Sequence, residues 1–181
     1  MKKIISISAV IMLFVITACN EQKKVSPANT QADAQVTSSE QKNLETAKQL
    51  WAFWNGGDTN SLKAIAIPGV KRHVNGILTS SEVSGIIAAY VGFKTAIPDL
   101  NFTYDLVVKG NKVYSKWVGK GTNTGMFGPY SPSGKPSVTN GLTESTFNDE
   151  GKLIKEDVYY DPYSYEEGIG FKKIAPAAKK Q

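Results

Sequence analysis

At Pro98 the spacing of apolar residues changes period, and that change restricts the chain to few architectures. Upstream, Leu44, Ala47, Trp51 and Trp54 recur at helical spacing, with Leu50 and Phe53 widening the stripe. The spacing predicts a helix over 40–55, opened by Ser38 and Gln41 in capping-box positions and stopped by Gly56-Gly57. Asp58 or Thr59 can cap a short helix through Ile65 that ends before Pro68. A second long helix has Ser80 and Ser81 as caps and Val83, Ile86, Ile87, Tyr90 and Phe93 as its apolar side. Downstream, NFTYDLVVK, the turn pair Gly110-Asn111 and KVYSKWVGK alternate as a hairpin. A strand over 137–147 follows, then the turn Asn148-Asp149-Glu150-Gly151, and strands run to the end of the fold. Helices first and an antiparallel sheet after them make an α+β fold, not an alternating α/β one.

The 181 residues suit one domain with a real core. At the N-terminus Lys2 and Lys3 precede an apolar run, Ile4 to Ile16, too short to span a bilayer comfortably, which reads as a secretory signal peptide over 1–18. It ends in Ile16-Thr17-Ala18-Cys19, which resembles a bacterial lipobox and assigns the single cysteine to lipidation. Residues 19–39 then form a lipidated, flexible tether without aromatics, 40–171 the folded domain, and 172–181 a flexible basic tail. The expected location is the cell envelope, lipid-anchored and facing the periplasm or exterior. Without Lys2 and Lys3, 19 of the 21 basic residues remain against 16 acidic ones, and no basic patch interleaved with aromatics suggests nucleic acid.

GKLIKEDVYYD carries acids and tyrosines on both faces of a strand. By strict alternation Leu153, Lys155, Asp157 and Tyr159 share one face, and Ile154, Glu156, Val158 and Tyr160 the other. Asp157 is the first candidate acid or base if its face meets a cavity; a register one residue off substitutes Glu156. The plainer alternative buries Ile154, Val158 and Tyr160 and wets Lys155, Asp157 and Asp161, with Asp161 fixing the strand end beside Pro162. His73 is the only histidine, beside the only arginine, Arg72, and can shuttle protons or be purely structural. With no second histidine and Cys19 consumed, a zinc site or a Ser-His-Asp triad has almost nothing to stand on, and no cofactor is expected.

Three stretches, LWAFWNGGDTNSLKAI, AIPDLNFTYDLVVKGNKVYSKWVGKGTNTGMFGPYSPSGK and FNDEGKLIKEDVYYD, resemble in order and spacing the SnoaL-like polyketide cyclase or ester cyclase family. This family belongs to the nuclear transport factor two-like superfamily, and the resemblance covers about Asn43 to Phe171. It implies N-terminal helices closing the concave side of a strongly curved antiparallel sheet over an apolar pocket, as in ketosteroid isomerase and limonene epoxide hydrolase. It further implies one late aspartate as the proton-transfer group, matching Asp157, with Tyr159 on the same face and His73 at the pocket mouth. Trp51, Trp54, Tyr90, Trp117 and Thr143 are the candidate ligand-pocket residues. Two functions stay open: a cofactor-free isomerase, cyclase or hydrolase of a small apolar carbonyl or ester compound, and a non-catalytic envelope lipoprotein binding a small ligand or a partner. The partners expected are a small apolar molecule, a membrane through the anchor, and a second copy in a homodimer.

Overall fold

Thr37, one residue before the predicted cap, opens the first helix, α1 (Ser38–Trp54), in a computed structural model that describes residues 36–170 and Lys172. The signal segment, Cys19, most of the tether, Phe171 and residues 173–181 lie outside the described residues. The Thr37 side chain accepts from the Glu40 backbone N–H, and the Glu40 carboxylate accepts in return from the Thr37 N–H at 2.9 Å. Glu40 also accepts from the Gly110 N–H at 2.7 Å, tying the start of the helix to a distant turn. These hydrogen bonds hold the Glu40 carboxyl below its usual range. Thr37→Ala is expected to lower stability by about 1 kcal/mol, read as a lower denaturant midpoint with an unchanged m-value.

Asp58 caps α2 (Thr59–Ile65), which runs directly into β1 (Ala66–Val74) and β2 (Ile77–Ser80). The spacing of apolar residues does not show this hairpin. Its turn is Asn75-Gly76, with positive φ of 50° and 82°, the pair that suits a two-residue connection between twisted strands. Helix α3 (Val83–Ala96) follows, and Ser80 Oγ accepts from the Glu82 N–H ahead of it while making no helical cap. Then come β3 (Asn101–Lys109), β4 (Lys112–Thr122), β5 (Pro136–Phe147) and β6 (Leu153–Tyr160). Among the described residues a helix, not a strand, follows β6. Asp161 accepts from the Tyr163 N–H at 2.9 Å and, with Pro162 in the first turn, starts α4 (Pro162–Gly168).

The fold is α+β, with helices packed on a six-stranded sheet of order β2-β1-β6-β5-β4-β3. All neighbouring strands are antiparallel except β1 and β6, which run parallel. One sheet face meets the helices, where Ala47, Leu50, Phe53, Leu62, Ile86 and Val113 are fully or almost fully buried. A second, smaller cluster joins Ala96, Ile97 and Leu100 to Tyr165 and Ile169 from the α4 region. Two strand glycines leave room for rings on the inner face. A Cβ on Gly141 would lie 2.4 Å from the Trp117 ring, and one on Gly119 would lie 2.7 Å from the Phe102 ring.

Candidate functional site

A single extra residue decides which side of β6 faces inward. Leu153 pairs with Phe147 and Lys155 with Thr146, so Ile154 is a bulge with no partner of its own on β5. Beyond it the alternation shifts by one. Leu153, Glu156 and Val158 are buried on the inner face, with Tyr160 partly buried beside them, while Asp157 and Tyr159 turn outward.

The inner face and the helices enclose a narrow cavity, about 610 Å³ of empty space counted out to its open mouth. Its walls are aromatic: Trp51 and Trp54 from α1, Phe93 from α3, Phe102 from β3, Trp117 from β4 and Tyr160 from β6. Trp51 stacks on Tyr104 with centroids 5.2 Å apart and donates its indole N–H to Ser115 Oγ at 3.0 Å. Trp117 donates to Thr143 Oγ1, also at 3.0 Å. Both indoles are thereby locked in place by hydroxyls from the sheet.

Charge enters this apolar space as one pair. Arg72 and Glu156 stand in register on parallel strands, and Arg72 Nη1 donates to Glu156 Oε2 at 2.6 Å. Both line the cavity and both are buried, Glu156 to 1% exposure and Arg72 to 8%. The guanidinium also lies 4.8 Å from the centroid of the Trp54 ring, so the cation is covered by an aromatic face as well as by the carboxylate. Tyr160 is pushed above the usual phenol range by burial, and Tyr165 is pushed up to about 12 by burial, then by Tyr160 and the Glu166 charge. Both therefore stay protonated at neutral pH.

The candidate residues from the sequence separate into two groups. Trp51, Trp54, Trp117 and Thr143 line the cavity. Tyr90 does not: its ring packs 4.5 Å from Phe53 and 6.1 Å from Trp54 as part of the core behind the wall. The placement of Asp157 in the pocket is corrected by the bulge at Ile154. Asp157 lies on the outer face, with Lys155 Nζ 2.7 Å and His73 Nδ1 3.3 Å from its carboxylate oxygens. Tyr159 beside it is 48% exposed. His73 stands opposite Asp157 in the β1–β6 register, so the hairpin that β1 opens carries it to the same outer face and away from the cavity mouth. The inner acid is Glu156, the residue that a one-residue register change selects.

Chemically, the cavity holds a carboxylate that can accept a proton, a guanidinium with further N–H donors, and several hydroxyls on a largely apolar wall. Among the described residues, no three His, Cys, Asp or Glu side chains gather closely enough to hold a metal ion.

The sequence profile of SnoaL-like polyketide cyclases matches residues 45–167. Among solved structures, a protein described as a SnoaL-like polyketide cyclase, from Jannaschia sp. CCS1, superimposes with a TM-score of 0.68 at 20% identity, over 76% of this chain and 97% of its own. TsrD from Streptomyces laurentii gives 0.63 at 20% identity, over 72% of this chain and 96% of its own. A phenazine biosynthesis-related protein from Pseudomonas aeruginosa gives 0.61 at 12% identity, over 84% and 95%. At these identities the likeness is one of fold. No curated protein matches the chain in sequence.

Proposed function

The chain belongs to the SnoaL-like polyketide cyclase family, and from that premise we propose a cofactor-free cyclase or isomerase in which Glu156 moves a proton on a small apolar carbonyl compound. The observation that carries this reading is a carboxylate of 1% exposure on the wall of an aromatic cavity. Glu156 takes a proton from the carbon next to the carbonyl, and the C–H electron pair moves onto the carbonyl oxygen as an enolate. Arg72, fixed by Glu156 and by the Trp54 face, keeps N–H donors for that oxygen. Glu156 then returns the proton to another position of the enolate, which isomerises the compound, or the enolate carbon attacks a second carbonyl and closes a ring, and Glu156 gives its proton to the alkoxide which that attack leaves.

A non-catalytic ligand-binding protein is the second reading. The same ion pair favours it, because Arg72 already occupies one Glu156 oxygen. The two readings separate on 2-tetralone, an apolar bicyclic ketone with acidic protons beside its carbonyl. In deuterated buffer, wild-type protein is expected to accelerate proton-to-deuterium exchange at those carbons, followed by NMR. Saturable binding with exchange no faster than in buffer selects the binding protein.

We also propose that Cys19 carries a lipid anchor, supported by the ITAC sequence after the apolar run. Intact-mass analysis of protein from membranes is expected to give a mature chain beginning at Cys19 with a diacylglycerol adduct, and Cys19→Ser to lack that adduct. A free Cys19 thiol or a different mature N-terminus contradicts the anchor.

A further inference from the structure

We propose that the α4 end of the cavity is a binding subsite for a neutral oxygen function of the ligand, a hydroxyl or carbonyl, held by Ser137, Thr139 and Tyr165. This rests on the reading of the cavity as a ligand site and adds what the ligand must carry. Ser137 Oγ, Thr139 Oγ1 and the Tyr165 hydroxyl are buried without hydrogen-bond partners, in residues exposed by only 3%, 8% and 6%. All three line the cavity. A buried hydroxyl left unpaired is costly, so three of them in one wall need an occupant with oxygen or nitrogen to offer.

The surroundings explain why the protein itself does not satisfy them. On β4 the residues in register with Ser137 and Thr139 are Gly121 and Gly119, which bring no side chain across the ladder. On the other side, the β5–β6 ladder ends at the pair Gly141 and Tyr160, short of both hydroxyls. Helix α4 packs closely on Ser137, since a Cβ on Gly168 would lie 3.5 Å from Ser137 Oγ. Further along β5 and β4, Thr143 and Ser115 are engaged by the indoles of Trp117 and Trp51. The cavity wall thus has a spent hydroxyl at Thr143 and unspent ones at its α4 end.

Charge selects the class of ligand group. The one cationic side chain lining the cavity, Arg72, is already matched by Glu156. The Glu166 carboxylate adds negative potential at Tyr165, whose hydroxyl remains a donor. A carboxylate or phosphate would find no counter-charge there, whereas a phenol, alcohol or ketone can both give to and take from the hydroxyls. With Glu156 acting on an activated carbon, the substrate is an aromatic-sized apolar body carrying a second, neutral oxygen.

Equilibrium dialysis of the full-length chain against 2-naphthol, naphthalene and 2-naphthoate tests this. Wild type is expected to hold 2-naphthol about tenfold more tightly than naphthalene, roughly one hydrogen bond's worth, and 2-naphthoate more weakly than either. The Ser137→Ala, Thr139→Val, Tyr165→Phe triple variant is expected to lose that preference, keep naphthalene binding within about twofold, and melt no lower than wild type, because it removes unpaired hydroxyls only. Should the triple variant fail to fold, Tyr165→Phe alone is read for a lowered preference. Glu156→Gln is expected to keep the preference, which separates failure of the subsite from failure of the catalytic reading. The proposal is overturned if wild type binds the three probes equally, binds 2-naphthoate best or binds none, or if the preference survives removal of the hydroxyls.

Discussion

Arg72→Met is expected to destabilise the fold by about 3–5 kcal/mol, and Arg72→Met with Glu156→Leu to recover most of that loss. Glu156 is almost wholly inaccessible and its Oε2 sits 2.6 Å from the guanidinium. Removing the cation alone strands a charge of 1% exposure among Trp54, Val158 and the other apolar walls, with no second cationic side chain in the cavity lining. Methionine keeps an unbranched apolar stem of similar length at this position, so the deficit reports the unpaired charge more than lost packing. Taking away both charges removes the reason for the penalty, and a well-packed apolar pair is close to neutral at such sites. Guanidinium unfolding of the wild type, both single variants and the double variant closes the cycle. A loss below about 1 kcal/mol for Arg72→Met would mean that water solvates the pair, and the desolvated ion pair would then be wrong.

A pair kept in an apolar cavity at such risk to stability points to use in function. An inert wall of the same volume is readily built from leucine and methionine. The same holds for the Ser137 and Thr139 hydroxyls of β5, which are buried without a hydrogen-bond partner.

Most of the helical frame was legible in the sequence because helices announce themselves through a long stripe and local caps. Leu44, Ala47, Leu50, Trp51, Phe53 and Trp54 pack as their spacing requires, with Leu44 only partly buried. Asp58 caps as expected. The cap of α1 was off by one because two overlapping capping boxes, Thr37 with Glu40 and Ser38 with Gln41, fit the same stretch, and a carboxylate accepts more strongly than an amide. β1 was hidden by Pro68, Gly69 and three consecutive cationic or titratable residues, Lys71 to His73, which read as loop. The Asn75-Gly76 pair was the available signal for the hairpin.

The site was less legible than the frame because its key residue depends on one bulge. Nothing in Leu153, Ile154 and Lys155 distinguishes a regular strand from one with an extra residue, and that residue moves Glu156 from the outer face to the cavity. Only the pairing with Thr146 and Phe147 resolves it. β5 carries a further signal in its own polarity. Its inward positions are Ser137, Thr139, Gly141, Thr143 and Ser145, while Val138 and Leu142 face out and stay exposed. A core-facing strand normally has the reverse polarity, so hydroxyls inward and aliphatics outward mark a strand that lines a space.

Glu156 and Asp157 are neighbours in sequence on opposite faces of one strand, so comparing them isolates the cavity from every other property of the protein. In Glu156→Gln the side-chain carbonyl can still accept from Arg72 and the volume is unchanged, but no carboxylate is left to take the proton. Asp157→Asn alters only the outer cluster with Lys155 and His73. The decisive measurement is the rate of 2-tetralone deuterium exchange per mole of folded protein, with ketone binding measured in parallel. Glu156→Gln is expected to lose about 10²–10⁴-fold in rate while still binding the ketone, and Asp157→Asn to stay within about twofold of wild type. Loss of exchange in Asp157→Asn with full activity in Glu156→Gln would contradict the assignment of the reactive carboxylate to the cavity.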